Sequence, residues 1–187
     1  MRFSKSSGVK EYTLINSGIV CACGSKFAGY GKGMVINMLQ YNRIIFVSES
    51  DTCRGPLAAA IMKNMHGMEN VDIASKGTVS LFQEPANQKA VAVAKSNGID
   101  IGDYQSEQLS YSDFSMETLM LVMSDSMKKK IYEDFAEAVN VYTIKEFVGE
   151  TGDVEVPYGG ELADYGSCFE ELHRLIDKTI EKLWNMT

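Results

Sequence analysis

The stretch from Arg43 to Pro56 constrains the fold more than any other part of the chain. Arg43-Ile-Ile-Phe-Val47 is a short unbroken apolar run with β-branched residues, the mark of a strand buried on both faces of a parallel sheet. It gives way to the polar stretch Ser48–Thr52, and Pro56-Leu-Ala-Ala-Ala-Ile-Met62 then reads as a helix with proline near its first turn. A strand that turns through a short polar loop into a helix sets that loop at the carboxyl edge of the sheet, where open α/β sheets bind ligands. Such a loop presents successive N–H groups and a partial positive charge to an anion. Arg54 at its end adds a two-pronged grip on phosphate oxygens that a lysine cannot copy.

The rest of the chain continues the alternation. Val71–Ala74, Leu119–Met123 and Val139–Thr143 are strand candidates; Asn87–Asn97, Ser126–Ala136 and Leu162–Met186 carry helical spacing. In the last of these, Phe169, Leu172, Leu175, Ile176 and Leu183 recur on one face. A polar, glycine-rich loop runs from Gly149 to Gly160. This order predicts a single α/β domain, a four-stranded parallel sheet with helices on both faces, over residues 41–187. Residues 1–40 are rich in Ser, Gly and Lys and show no sustained period, so they are expected to form an irregular N-terminal extension or to precede the biological start, for which Met34 and Met38 are candidates.

Composition narrows the function. Eighteen basic residues against 25 acidic ones give a net charge of −7, which excludes a general nucleic-acid binder but not a small phosphate site built from N–H groups and one arginine. No run is long enough to span a membrane, and Glu11, Asn16 and Ser17 spoil the weak leader-like pattern of Leu14–Cys23, so the expected location is cytoplasmic. Cys21, Cys23, Cys53 and Cys168 are too few and too unevenly spaced for a disulfide framework, and Cys21-Ala-Cys23 lacks partners for zinc. Gly29-Tyr-Gly-Lys-Gly33 follows no predicted strand and is not read as a nucleotide fingerprint; His66 and His173 read as surface residues. No metal or cofactor is expected.

At the loop the sequence resembles the low-molecular-weight protein tyrosine phosphatases. These open with an apolar strand, then Val-Cys-x-Gly-Asn-x-Cys-Arg-Ser-Pro, then a helix; Val47-Ser-Glu-Ser-Asp-Thr-Cys-Arg-Gly-Pro56 stands in the same register. Ala74-Ser-Lys-Gly-Thr78, Glu84-Pro-Ala-Asn87, Asn97-Gly-Ile-Asp100 and Pro157-Tyr-Gly-Gly160 with Asp164-Tyr165 resemble further family motifs in order, over about residues 42–183. The resemblance implies a phosphate-binding loop of Glu49, Ser50, Asp51, Thr52, Cys53 and Arg54. It implies Ser48 at the nucleophile position and Tyr158 at the substrate mouth. The substrate it implies is a phosphotyrosine protein, a small phosphoester or inorganic phosphate. In the family a loop cysteine attacks phosphorus, the arginine clamps the oxygens and an aspartic acid before the later proline protonates the leaving group.

The sequence departs from that pattern at Ser48, Ser50, Asp51 and Gly55, and at Val156, which stands where the acid would be. A serine needs an adjacent base, and no histidine is evident nearby. Asp51 and Glu49 add charge beside the pocket. At about 6 Å and an effective dielectric near 20, each would cost a phosphate charge roughly 2–3 kcal/mol before screening. The expected protein is therefore a phosphatase of weak or lost activity. The alternatives are a non-catalytic phosphoprotein-binding module (a pseudophosphatase), or a thiol redox protein related to arsenate reductases that uses Cys53. Asp153 is the candidate substitute acid, with Glu155 beside it. For Cys53, the helix N-terminus is expected to lower the thiol pKa. For Arg54, the competing assignment is a structural arginine paired with Asp51 or Glu49.

Overall fold

A computed structural model describes residues 12–15, 18–21 and 40–186. Strands β1 (Tyr12–Ile15) and β2 (Gly18–Cys21) form an antiparallel pair, a regular element within a region expected to be irregular. The signal-like pattern of Leu14–Cys23 ends in undescribed residues. Cys23, Gly29–Gly33, Met34 and Met38 also lie outside the described residues.

The second unit begins at Leu39 and is an all-parallel sheet. Its strands are β3 (Arg43–Ser48), β4 (Asp72–Gly77), β5 (Thr118–Val122) and β6 (Val141–Thr143), in the order β4-β3-β5-β6. Ile44 of β3 is in register with Ile73 and Leu119, Val47 with Lys76 and Val122, and Ser48 with Gly77. Ile44 to Val47 and Leu119 to Val122 are fully buried, which explains why these strands read as continuous rather than alternating apolar runs.

Between the strands run α1 (Arg54–Lys63), α2 (Gln88–Ser96), α3 (Asp125–Asp134), the short α4 (Ile144–Phe147) and the 24-residue α5 (Leu162–Asn185). Buried residues occur all round α1, as befits a helix enclosed between sheet and α5, and Pro56 sits in its first turn, where no intrahelical N–H is required. Asn87 caps α2 by accepting from the N–H groups of Lys89 and Ala90. Along α5, Phe169, Leu172, Leu175, Ile176 and Leu183 form the predicted apolar stripe, and Tyr165, Cys168 and Thr179 are buried with it. Helices cover both faces of the sheet, as expected.

This topology places the functional end. The chain leaves β3 for β4 on one side and later reaches β5 on the other, so the strand order reverses beside β3. At such a point the first loops on either side diverge and leave a crevice at the carboxyl ends of the strands. The loop from Ser48 to Cys53 lies there.

Candidate active site

The loop after β3 is shaped by its carbonyl groups. Thr78 N–H donates to the Ser48 carbonyl at 3.0 Å, Val79 N–H to Glu49 at 2.8 Å and Asn87 N–H to Thr52 at 2.7 Å. The N–H groups of residues Glu49 to Arg54 donate to no group among the described residues. A run of unpaired donors leading into a helix can receive an anion. Gly77 permits the close approach: a Cβ there would lie 3.1 Å from the Glu49 carbonyl and 3.2 Å from Asp51 Cβ. That contact gives a physical reason for the glycine in Ser75-Lys-Gly-Thr78.

Arg54 is 6% exposed, and its Nη1 donates to the Val154 carbonyl at 2.7 Å. Val154 N–H in turn donates to the Met123 carbonyl at 2.9 Å, so the arginine is fastened to a segment anchored at the end of β5. Among the described residues Arg54 forms no ion pair with Asp51 or Glu49, so the structural-arginine assignment fails in that form. Burial lowers its pKa, and Cys168, Cys53, Glu49 and Asp153 act the other way.

The loop side chains divide by exposure. Glu49 and Ser50 face solvent, and Ser50 Oγ lies 2.9 Å from Thr52 Oγ1. Ser48 is 3% exposed and its Oγ has no hydrogen-bond partner among the described residues. Asp51 is wholly buried with φ +56°, a left-handed conformation that Asp and Asn tolerate better than most residues. Its Oδ2 accepts from the Tyr104 hydroxyl and from Glu107 N–H at 3.0 Å, while Oδ1 has no hydrogen-bond partner among the described residues. The Tyr104 hydroxyl also lies 2.7 Å from Ser75 Oγ. Desolvation outweighs these hydrogen bonds and raises the Asp51 pKa to about 6.

Cys53 corrects the expectation placed on it. Burial, then the neighbouring Cys168, push its thiol up to about 12, and Arg54 offsets them only in part. Cys168, on the buried stripe of α5, is likewise pushed up to about 11 by burial. Both cysteines are free thiols. Asp153 is exposed and its Oδ1 accepts from Asp125 N–H at 2.9 Å, at the start of α3. Glu155 is exposed, Val156 is 52% exposed beside the buried Pro157, and Tyr158 is 86% exposed. His66 and His173 are exposed, as expected. The described residues hold no cluster of three potential metal ligands, and no helix among them is long and apolar enough to cross a membrane.

The sequence did not single out Tyr104, Ser75, Glu107 or the Val154 carbonyl. Tyr104 is 53 positions from Asp51, in a loop without periodicity, and its role arises only when the two meet.

The sequence model for low molecular weight phosphotyrosine protein phosphatases matches residues 43–186. A protein-arginine-phosphatase of Geobacillus stearothermophilus is 36% identical over 143 residues, which span 75% of this chain and 95% of that protein. The crystal structure of a low molecular weight protein tyrosine phosphatase from T. tengcongensis superposes with a TM-score of 0.70 at 40% identity, covering 75% of this chain and 98% of the other. A cysteine-to-serine mutant of the YwlE arginine phosphatase, with a phosphorylated active-site serine, superposes with a TM-score of 0.71 at 32% identity over 75% and 95% of the two chains.

Proposed function

The chain belongs to the low molecular weight phosphotyrosine protein phosphatase family, and from that premise we propose that the Ser48–Arg54 loop binds the phosphoryl group of a phosphorylated protein side chain and turns it over far more slowly than a cysteine-bearing relative. The observation that carries this reading is the set of undonated N–H groups from Glu49 to Arg54, closed by the pinned guanidinium of Arg54. Donors fixed in advance cost no reorganisation when negative charge arrives.

Slowness follows from two side chains. The Ser48 hydroxyl does not ionise at neutral pH, and once phosphorylated it is a far poorer leaving group than a thiolate. Val156 has no proton to give, so the departing group must draw one from water. The relative with a phosphorylated active-site serine supports Ser48 as a phosphoryl acceptor.

Phosphotyrosine is the substrate expected from the family name. A second reading, phosphoarginine, is favoured by the 36% identical arginine phosphatase and by Val156. A P–N bond can take its proton at nitrogen from solvent, so it depends less on a missing acid. The thiol redox alternative gains no support, because a Cys53 thiol raised to about 12 is not a ready thiolate at neutral pH.

Orthovanadate titration together with hydrolysis of a phosphotyrosine peptide and a phosphoarginine peptide tests the reading. Saturable vanadate binding that disappears in Arg54→Ala is expected. Turnover that survives Arg54→Ala would place the chemistry elsewhere. Binding without turnover of either peptide would leave the non-catalytic binding module as the function.

A further inference from the structure

The loop buries two side-chain oxygens that have no hydrogen-bond partner among the described residues, Ser48 Oγ and Asp51 Oδ1. Both crowd the α-carbon of Gly55: a Cβ added there would lie 2.7 Å from Asp51 Oδ1 and 2.9 Å from Ser48 Oγ, too close for either to stay where it is. Both oxygens thus approach one point beside Gly55, with Ser75 Cβ 3.3 Å from the same point, and no hydrogen bond joins them. The second carboxylate oxygen is fixed from behind by Tyr104 and by Glu107 N–H at 3.0 Å, and Tyr104 is itself set by Ser75 at 2.7 Å. A buried hydroxyl, a carboxylate oxygen beside the same glycine and a third group orienting the carboxylate are the parts of an activated nucleophile.

We propose that Asp51 is the general base for Ser48, its Oδ1 taking the hydroxyl proton directly or through one water as Ser48 attacks the phosphoryl group. The inference deepens the reading of this loop as a phosphoryl site and rests on it. In the step, the Ser48 Oγ–H bond breaks and its proton passes to Asp51. The Oγ–P bond forms, and the bond from phosphorus to the leaving oxygen or nitrogen breaks. The leaving group takes a proton from solvent, and Asp51 returns its own to solvent when the site resets. No oxidant or metal enters the balance.

Three departures from the family pattern then become one device. Serine at position 48 requires a base, aspartate at 51 provides it, and glycine at 55 lets both oxygens come close to one point. Desolvation places the Asp51 pKa where a carboxylate is ionised at neutral pH yet can hold a proton. The groups that face it are Tyr104, Ser75 and Glu107, with Lys76 paired to Glu107; Arg54 and Glu49 belong to the same loop. Electrostatics also fits the timing. Ionised Asp51 opposes a bound phosphoryl group, and accepting the proton removes that opposition as the attack proceeds.

The experiment is a rapid-mixing assay with an aryl phosphate, read as a burst of the released phenol and as phosphate mass on the peptide bearing Ser48. Wild type should give both, and Ser48→Ala neither. Asp51→Asn should bind orthovanadate more tightly, because a charge has gone, yet show a burst roughly 100-fold slower. Its burst should lose the rise with pH that wild type shows as Asp51 ionises. Vanadate binding also certifies that the variant is folded. Tighter binding with an equal or faster burst would overturn the inference, since Asp51 would then be only a charge opposed to the ligand. Wild type that binds vanadate but never labels Ser48 would overturn it equally. Failure of wild type to bind vanadate would instead bring down the phosphoryl-site reading, and this inference with it.

Discussion

Nη1 of Arg54 donates to the carbonyl oxygen of Val154 at 2.7 Å across 100 positions of sequence, so the guanidinium of the anion loop is held by the main chain of the Gly149–Gly160 loop. Because the anchor is a carbonyl, it fixes the plane of the guanidinium without neutralising it, and the remaining N–H groups stay available to an anion.

Arg54→Lys tests this arrangement. The charge is kept, but a lysine offers a point charge rather than a planar fork. Orthovanadate affinity is expected to fall by at least about tenfold, on the scale of one lost charge-assisted hydrogen bond. Isothermal titration measures it, and an unchanged affinity would reduce Arg54 to a source of charge.

Ser48→Cys should raise the steady-state hydrolysis of an aryl phosphate, since the N–H cradle favours a thiolate and a thiolate leaves phosphorus readily. Adding Val156→Asp to that variant should raise kcat by a further ~10²-fold, the lower range for a positioned acid, and should add a descending alkaline limb to the pH profile. A double variant no faster than Ser48→Cys would show that residue 156 does not reach the leaving group.

Asp51→Asn should change how stability depends on pH. Burial raises the Asp51 pKa from 3.8 to about 6, so the folded chain holds this proton more tightly than the unfolded one. The stability tied to protonated Asp51 is present below about pH 4 and is lost as pH rises to about 6. A rise of that size corresponds to roughly 3 kcal/mol. The variant should therefore gain on wild type in urea unfolding between pH 4 and pH 7, and a constant difference over that range would refute the assignment.

Tyr104→Phe removes one of the hydrogen bonds that keep the Asp51 pKa from rising further, and it deprives Ser75 Oγ of a neighbour. We expect a stability loss of about 1–3 kcal/mol, the cost of leaving a buried polar group short of a partner. Tyr104 acts through Asp51, so the pH at which Ser48 phosphorylation reaches half its plateau should also move upward. A loss of stability with an unmoved pH profile would make Tyr104 a packing residue only.

Much of this fold could be read from residue order because local and global signals agree. The apolar runs at Ile44–Val47 and Leu119–Val122 are buried on both faces, and a run buried on both faces needs no alternation to be recognised. Asn87 before α2 and the stripe on α5 are equally local signals. The loop itself was legible because strand, polar turn and helix are contiguous. Its inner wiring was not. Asp51 looked like a charge set against phosphate, and only the meeting with Tyr104, Ser75 and Glu107 turns it inward. Cys53 misled for a related reason: its place at the start of α1 is visible in sequence, whereas the burial that raises its thiol is a property of α5 packing over α1.

The carbonyls of Ser48, Glu49 and Thr52 are tied to the N–H groups of Thr78, Val79 and Asn87, main chain to main chain. No side chain takes part in those bonds, so the main-chain path of the loop does not rest on the identity of residues 48, 49 and 52. The residue at position 48 can therefore change while the turn that carries it keeps its shape.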